Sequence, residues 1–358
     1  MHDARYACTS FNVRSSKVPD AKTIDLRSDT VTRPSPAMRA AMMSAELGDD
    51  VFGDDPTVNR LQAHAAERLG FDAGLFFPSG TQSNLAALMS HCQRGDEYIV
   101  GQEAHTYRFE AGGGAVLGSI QPQPLANRPD GTLDLAEVEA AIKPDDPHFA
   151  RTRLLALENT IGGRAIPRSY FDAALALAKR RGLSTHLDGA RIFNASVKLG
   201  IRTADLCRGF DTVSVCLSKG LGTPVGTVLV GSRDLIGRAR RARKILGGAM
   251  RQAGLLAAAG LYALEHNVER LAVDHANAER LARGLAQIAG LSVEPAQTNM
   301  VFVHVPAERV TSLAGHLGKA GVLALVSPRT RLVTHLDVST AQIDRAVEAF
   351  ARFFERNA

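Results

Sequence analysis

Lys219 is the residue of this sequence best placed to do covalent chemistry. It lies in Ser214-Val-Cys-Leu-Ser-Lys-Gly-Leu-Gly-Thr-Pro-Val-Gly226. Ahead of it, Asp211-Thr-Val-Ser-Val-Cys-Leu217 is apolar and β-branched, a strand pattern, and Val225-Gly-Thr-Val-Leu-Val230 reads as the next strand. Gly220, Gly222, Pro224 and Gly226 exclude a regular helix between the two. The lysine is thus held on a rigid turn between buried strands. An amine in apolar surroundings is biased toward its neutral form, which is a nucleophile for a carbonyl carbon. The pattern fits a Schiff-base lysine. It also fits a lysine that binds a carbonyl or phosphate without covalency.

A second stretch has the chemistry of an anion site. Ala73-Gly-Leu-Phe-Phe77 reads as a strand, Pro78-Ser-Gly-Thr-Gln-Ser-Asn84 as a small-residue loop, and an Ala/Leu/Met helix runs on to about His91. Free N–H groups at such a helix start, together with the helix dipole, favour phosphate. The loop is neither Gly-x-Gly-x-x-Gly nor a Walker loop, so an ordinary Ser or Thr helix cap explains it as well. Three further polar groups end strand-like runs: His105 after Glu97–Val100, Glu158 after Arg153–Leu157, and Asp188 with Arg191 after Leu183–Leu187.

The intervening segments read as helices at 38–45, 56–69, 133–142 and 169–181 alternating with these strands. Alternation from 73 to 230 predicts an α/β fold with a mostly parallel central sheet and helices on both faces. Ligands sit at the carboxyl ends of such strands, where His105, Glu158, Asp188, Arg191 and Lys219 all fall. Beyond it, helices at 255–267 and 272–289 precede strands at 291–293, 299–305, 322–326 and 331–336, with helices at 307–320 and 340–356. These form a smaller C-terminal α+β domain. The expected division is a loosely ordered extension 1–22, a large domain 23–254 with an N-terminal arm, and a small domain 255–358. The extension is also readable as an expression remnant or a mis-assigned start.

The composition excludes several classes. The 358 residues are 45% hydrophobic and 22% charged, as in ordinary soluble proteins. Net charge is +5, which suits anionic small molecules. The basic run Arg238-Ala-Arg-Arg-Ala-Arg-Lys244 has no interleaved aromatics and accompanies no nucleic-acid motif, so it reads as a mainly solvated helix face. Cys8, Cys92, Cys207 and Cys216 show no Cys-x-x-Cys spacing and read as reduced thiols in a cytoplasmic protein. No apolar run is long enough to span a membrane, and no apolar signal core stands at the N-terminus. The acidic loop Gly48-Asp-Asp-Val-Phe-Gly-Asp-Asp55 lacks further ligands at metal spacing and reads as a solvated loop or helix cap.

The motifs Ile24-Asp-Leu-Arg-Ser-Asp-Thr-Val-Thr-Arg33, Gly48–Pro56, Ser79-Gly-Thr-Gln-Ser-Asn84, His186-Leu-Asp-Gly-Ala-Arg-Ile-Phe-Asn194 and Leu217–Gly226 occur in that order. Together they resemble the low-specificity L-threonine aldolases, from about residue 23 to the C-terminus. The resemblance implies an aspartate aminotransferase-like (fold type I) enzyme that uses pyridoxal 5′-phosphate (PLP). It also implies reversible cleavage of β-hydroxy-α-amino acids to glycine and an aldehyde. Carried over residue by residue, it makes Lys219 the Schiff-base lysine and Asp188 the carboxylate on the ring nitrogen. Gly80 and Thr81 become the phosphate cup, and His105 stacks on the ring. Ser28, Arg191 and Arg331 group around the substrate carboxylate, Arg191 also touching the cofactor. Lys244 and Arg251 come from a neighbouring subunit, so the expected assembly is a homo-oligomer, dimer or tetramer, with shared sites. His148 matches a second histidine near the substrate side chain, and either His105 or His148 is the expected base for the β-hydroxyl. Ile161, Arg108 and Arg329 depart from the family pattern around the expected aldehyde pocket. A related β-eliminating lyase or aminotransferase would share Lys219 and Asp188.

Overall fold

The structure, a computed structural model, describes residues 23–355. The expected extension 1–22 and Arg356, the end of the expected last helix, lie outside the described residues. The first part of the chain runs β1 (Ile24–Asp25), α1 (Pro36–Met43), α2 (Pro56–Leu69), β2 (Ala73–Phe77), α3 (Gly80–His91), β3 (Asp96–Gly101), α4 (His105–Arg108), α5 (Gly113–Val116) and β4 (Gln121–Leu125). It continues α6 (Leu135–Ala141), β5 (Arg151–Glu158), α7 (Arg168–Arg181), β6 (Ser184–Asp188), α8 (Ile192–Leu199), α9 (Thr203–Cys207), β7 (Thr212–Cys216), β8 (Thr227–Gly231) and α10 (Arg233–Ile245). The rest is α11 (Gly254–His266), α12 (Leu271–Leu285), β9 (Ser292–Val293), β10 (Met300–His304), α13 (Val310–Lys319), β11 (Val322–Leu323), β12 (Arg329–Val333) and α14 (Thr340–Glu355).

The central sheet has seven strands in the order β2-β8-β7-β6-β5-β3-β4. From β7 to β4 neighbours are parallel, whereas β8 runs antiparallel to both β7 and β2. The sheet is therefore mixed, with one reversed strand, as the sequence pattern of a mostly parallel sheet requires. β7 and β8 are buried along their whole length, which is why they read as continuous apolar runs without alternation. The edge strand β4 is not legible in the sequence, because Pro122 and Pro124 interrupt it. Both are tolerated because β4 pairs only with β3, through Tyr98↔Pro122 and Val100↔Pro124.

One core lies between this sheet and α1, α2, α7, α8 and α11, with Met38, Leu61, Phe171, Ile192 and Ala257 among its members. Helix α11, assigned from sequence to the C-terminal part, thus buries its small residues against the large sheet's core. Helices α3 and α10 cover the other face over Leu75, Phe77 and Leu229. A second core joins α12, α13, α14 and the three-stranded antiparallel sheet β12-β10-β9. Ile24 and Leu26 belong to this second core. β1 pairs in parallel with β11, Ile24 opposite Val322, and Val333 N donates to Leu26 O at 2.9 Å. The arm therefore starts in the C-terminal part and only then enters the cleft. Such a pairing between chain ends leaves no local trace in sequence. Among the described residues Cys92, Cys207 and Cys216 are buried free thiols, and no helix is long and apolar enough to cross a membrane.

Candidate active site

The turn carrying Lys219 is closed by backbone bonds from Leu217 N to Gly226 O (2.9 Å) and from Gly222 N to Lys219 O (2.8 Å). Gly222 and Gly226 have φ of +79° and +114°, a region that side chains with a Cβ rarely adopt, so the turn requires glycine there. The hydroxyl of Thr32, from the N-terminal arm, donates to the same Lys219 carbonyl at 3.0 Å. Lys219 itself is half-buried, and its charge acts on Asp29, Glu158 and His105, which ring it.

Asp188 ends β6 and is buried. Its Oδ1 accepts from Ala190 N at 3.0 Å and its Oδ2 from Asn84 Nδ2 at 2.8 Å. The same Asn84 nitrogen donates to Glu110 Oε1 at 2.8 Å. Glu110 in turn bonds His105 Nδ1 at 2.8 Å. That bond raises the His105 pKa, against burial and with help from the Asp188 charge. Burial raises the Glu110 carboxyl, and the like charge of Asp188 adds to it. His105 opens α4, and its backbone N–H donates to Glu158 Oε2 at 2.7 Å. Glu158 stands opposite Asp188 on neighbouring strands, so burial first and the Asp188 charge second push its carboxyl upward.

Arg191, expected beside the substrate carboxylate, is already paired within the chain. Its Nε and Nη2 fork Asp29, at 2.8 and 2.5 Å. Asp29 is fully buried, and Asn299 Nδ2 also donates to it at 3.2 Å. Burial alone would raise the Asp29 pKa, but the Arg191 guanidinium and the Lys219 ammonium hold it well below the usual carboxylate range. Arg331, on β12, is exposed at its surface, with Nη2 donating to Arg27 O at 3.4 Å; partial desolvation and repulsion from Arg191 lower its pKa, and Asp29 opposes them. Arg191, Arg331 and Lys219 thus face one buried carboxylate. The surplus positive charge suits a bound carboxylate, with Arg191 Nη1 and Arg331 left to receive it. Ser28 precedes Asp29, half-buried, its Oγ accepting from Thr30 N at 3.2 Å.

Helix α3 starts at Gly80, earlier than expected, because Ser79 caps it by accepting from Gln82 N at 3.2 Å. The N–H groups of Gly80 and Thr81 lie in the first turn and have no carbonyl within the helix to reach. Thr227 closes in on this end: a Cβ on Gly80 would lie 3.7 Å from its Oγ1. That hydroxyl is buried and has no partner among the described residues. An orphaned buried hydroxyl beside open helix N–H groups is the observation that fits an anion. The whole donor set suits a molecule with a phosphate, a carbonyl and a protonatable ring nitrogen.

Other expected residues stand apart. His148 is exposed on the loop leading into β5, with its Nδ1 bonded to Asp146 Oδ1 at 2.6 Å. Glu158 marks the opposite end of that strand, so within one chain His148 does not join the cleft. Lys244 and Arg251 are both exposed, and Arg251 pairs with Asp49 at 3.3 Å. Within the basic run, Arg243 is not solvated: it is 1% exposed, bonded to Phe76 O at 2.6 Å and paired with Asp50 at 2.8 Å. The acidic loop thereby spends Asp50 on Arg243, while Asp55 caps α2 through Thr57 N and Val58 N. Arg329 is neutralised by a fork to Glu294 (2.6 and 2.9 Å) and lies over the Phe302 ring. Asp29, Asn84 and Glu110 join the cleft without a motif that marks them in the sequence. Asn84 is the most legible of them, a polar residue on a helix whose flanks are buried all round.

Comparison with known proteins agrees with this geometry. The beta-eliminating lyase family model matches residues 25–308. A low-specificity L-threonine aldolase of Escherichia coli O157:H7 is 57% identical over 333 residues, covering 93% of this chain and 100% of that protein. A probable low-specificity L-threonine aldolase 2 of Arabidopsis thaliana is 44% identical over 346 residues, covering 93% of this chain and 98% of that protein. Among solved structures, a Leishmania major threonine aldolase superimposes with a TM-score of 0.78 at 23% identity, covering 92% of this chain and 99% of that one.

Proposed function

The chain belongs to the beta-eliminating lyase family, among its low-specificity L-threonine aldolases, and we propose that its cleft cleaves L-threonine, L-allo-threonine and related β-hydroxy-α-amino acids to glycine and an aldehyde. Enzymes of this family depend on PLP. The observation that carries the reading is the convergence of Lys219, Asp188 and the surplus charge of Arg191 and Arg331 at one cleft. Gly80, Thr81 and Thr227 would hold the phosphate, Lys219 the carbonyl carbon and Asp188 the ring nitrogen. When bound, PLP supplies an electron sink for the pair left on Cα as the Cα–Cβ bond breaks.

The chain's own residues do the rest. Arg331 and Arg191 Nη1 anchor the substrate carboxylate, and Asp29 fixes the plane of Arg191, so the orientation of Cα is set before reaction. Asp188 holds a proton on its ring partner by charge. His105, oriented by Glu110, takes the proton of the β-hydroxyl, directly or through one water. The Glu110 hydrogen bond that raises the His105 pKa makes the ring a stronger proton acceptor. We infer further that Lys244 and Arg251 serve the site of a neighbouring subunit in a dimer or tetramer. Their exposure supports this, as do the exposed Met43, Phe52 and Ile245 on segments joined by the Asp50 N to Arg251 O bond. A cytoplasmic setting is supported by the buried free thiols.

The test is product analysis with L-threonine. Glycine and acetaldehyde in equal amounts are expected. A keto acid plus ammonia, with no aldehyde, would instead make the chain a β-eliminating lyase.

A further inference from the structure

Behind the cleft a row of buried polar side chains leads from Asp188 and Glu110 toward the end of α3. Asn84 Nδ2 donates to both carboxylates at 2.8 Å, and Asn84 Oδ1 meets His186 Nε2 at 3.1 Å. His186 Nδ1 is 2.9 Å from Thr212 Oγ1, which His91 Nε2 also approaches at 2.8 Å. Asn84, Glu110, His186, Asp188 and Thr212 are all buried, with exposures of 6% or less.

The direction of every bond in this row follows from its end. Two carboxylates offer lone pairs only, so the Asn84 amide must turn its NH2 toward them. Its oxygen then needs a donor, which fixes the His186 proton on Nε2. Nδ1 is left as an acceptor and takes the Thr212 hydroxyl proton, and His91 Nε2–H fills the remaining lone pair of Thr212. The opposite polarity would aim an amide oxygen at two carboxylates. Burial pushes the His186 pKa down to about 3, so the ring carries a single proton and cannot serve both directions at once.

We propose that Asn84 is a positioning residue, locked in one of its two amide orientations by His186, and that it ties the carboxylate holding the cofactor's ring nitrogen to the carboxylate orienting His105. The proposal rests on the reading of Asp188 and His105 given above. Asp188, Glu110 and His105 bring ligand atoms within 4.8 Å of one another, close enough for two like charges to repel strongly. The two N–H groups of Asn84 lie between those charges and keep both carboxylates acceptors. Without them one carboxylate draws a proton, and either the ring nitrogen or His105 loses its partner.

The first test needs no variant activity. In holoenzyme labelled with ¹⁵N-histidine, long-range ¹⁵N–¹H correlation should show, besides the Nε2-protonated ring of His91, a second ring protonated on Nε2 alone and unchanged from about pH 5 to 9. That signal should be missing in His186→Gln. A proton on Nδ1 of His186, or titration in that range, overturns the proposal. The second test separates positioning from packing. Asn84→Leu and His186→Met should each lower kcat by about tenfold or more, with KM within about threefold, and should shift the visible absorption of the bound cofactor. His186→Gln, which keeps a donor toward Asn84, should recover most of both. Equal losses in His186→Gln and His186→Met, or a wild-type spectrum in Asn84→Leu, overturn it. Product analysis of the wild type tests the aldolase reading alone, so failure of one is distinguishable from failure of the other.

Discussion

Asp29 and Arg191 stand 162 positions apart in the chain and meet as a forked ion pair, Nε to Oδ2 at 2.8 Å and Nη2 to Oδ1 at 2.5 Å. The Asp29 side chain is fully buried and that of Arg191 is 13% exposed, so the pair anchors a cation at the edge of the cleft. Its loss should be felt in both stability and binding.

Asp29→Asn leaves Arg191 without its counter-charge in a largely dry site. Breaking such a pair costs about 3 kcal/mol, and KM for the amino acid should rise while PLP is retained. The folded Asp29 pKa lies below its unfolded value of about 3.9. The stabilisation is therefore fully present above about pH 4 and fades as pH falls toward the folded value. Urea unfolding of both proteins at pH 7 and near pH 3 should show a difference that shrinks in acid. A constant difference would mean that the charge of Asp29 is not what stabilises the fold.

Glu110→Gln replaces the charged acceptor that raises the His105 pKa with a neutral amide. If unprotonated His105 is the base, activity rises as pH increases through that value. The acid limb of kcat should then move to lower pH in the variant, toward the ordinary histidine value of about 6.5. An unmoved limb, or one displaced upward, would assign the titration to another group.

Borohydride reduction of the holoenzyme should fix PLP to the peptide that contains Lys219. Its motive is the lysine's place on a turn that Thr32 and two positive-φ glycines hold rigid. Label on any other lysine removes Lys219 from its role.

Asp188→Asn keeps the side chain's shape and one acceptor oxygen for either Asn84 Nδ2 or Ala190 N, so PLP binding should persist while kcat falls by more than ~100-fold, because a neutral amide cannot hold a proton on its partner by charge. A saturated variant of near-normal kcat would show that the proton does not depend on Asp188.

Mixing Lys219→Ala chains with Arg251→Ala chains tests where Arg251 acts. If it serves a neighbour, random exchange in equal amounts makes about half of the dimers mixed, each with one intact site, and about a quarter of wild-type activity returns. Both parent proteins must be nearly inactive at the PLP concentration used, and exchange must be verified. No recovery on mixing would mean that Arg251 acts within its own chain.

The sequence exposes those parts of the site that depend on local pattern. Lys219 is flanked by apolar strands and punctuated by glycine. Asp188 and Glu158 end strands, and Ser79 begins a helix. The alternation of elements likewise makes the parallel part of the sheet legible. Hidden are contacts made only by closure of the chain: Asp29 with Arg191, Asn84 with Asp188 across 104 positions, and the β1–β11 pairing. Arg243 is hidden for a different reason. Its neighbours in the basic run are solvated, and helical periodicity alone does not tell that this one arginine turns inward to Asp50. His148 is read by resemblance alone, and its exposed loop leaves it at the wrong end of β5 within its own chain.

The arm that begins at β1 has a consequence for how the protein is made. It leaves the ribosome well ahead of the segments that hold it: Ile24 pairs with Val322, and Asp25 O accepts from His335, 310 positions further on. At roughly 5–20 residues per second, that is a wait on the order of 15–60 s. Until then Ser28, Asp29 and Thr32 lack the anchor that holds them beside Lys219, although the strands bearing Asp188 and Lys219 have already emerged. Translation therefore delivers the large sheet first and the finished cleft last. A stop codon just ahead of Val322 would leave Ser28, Asp29 and Thr32 without that anchor, although every residue of the large sheet is present.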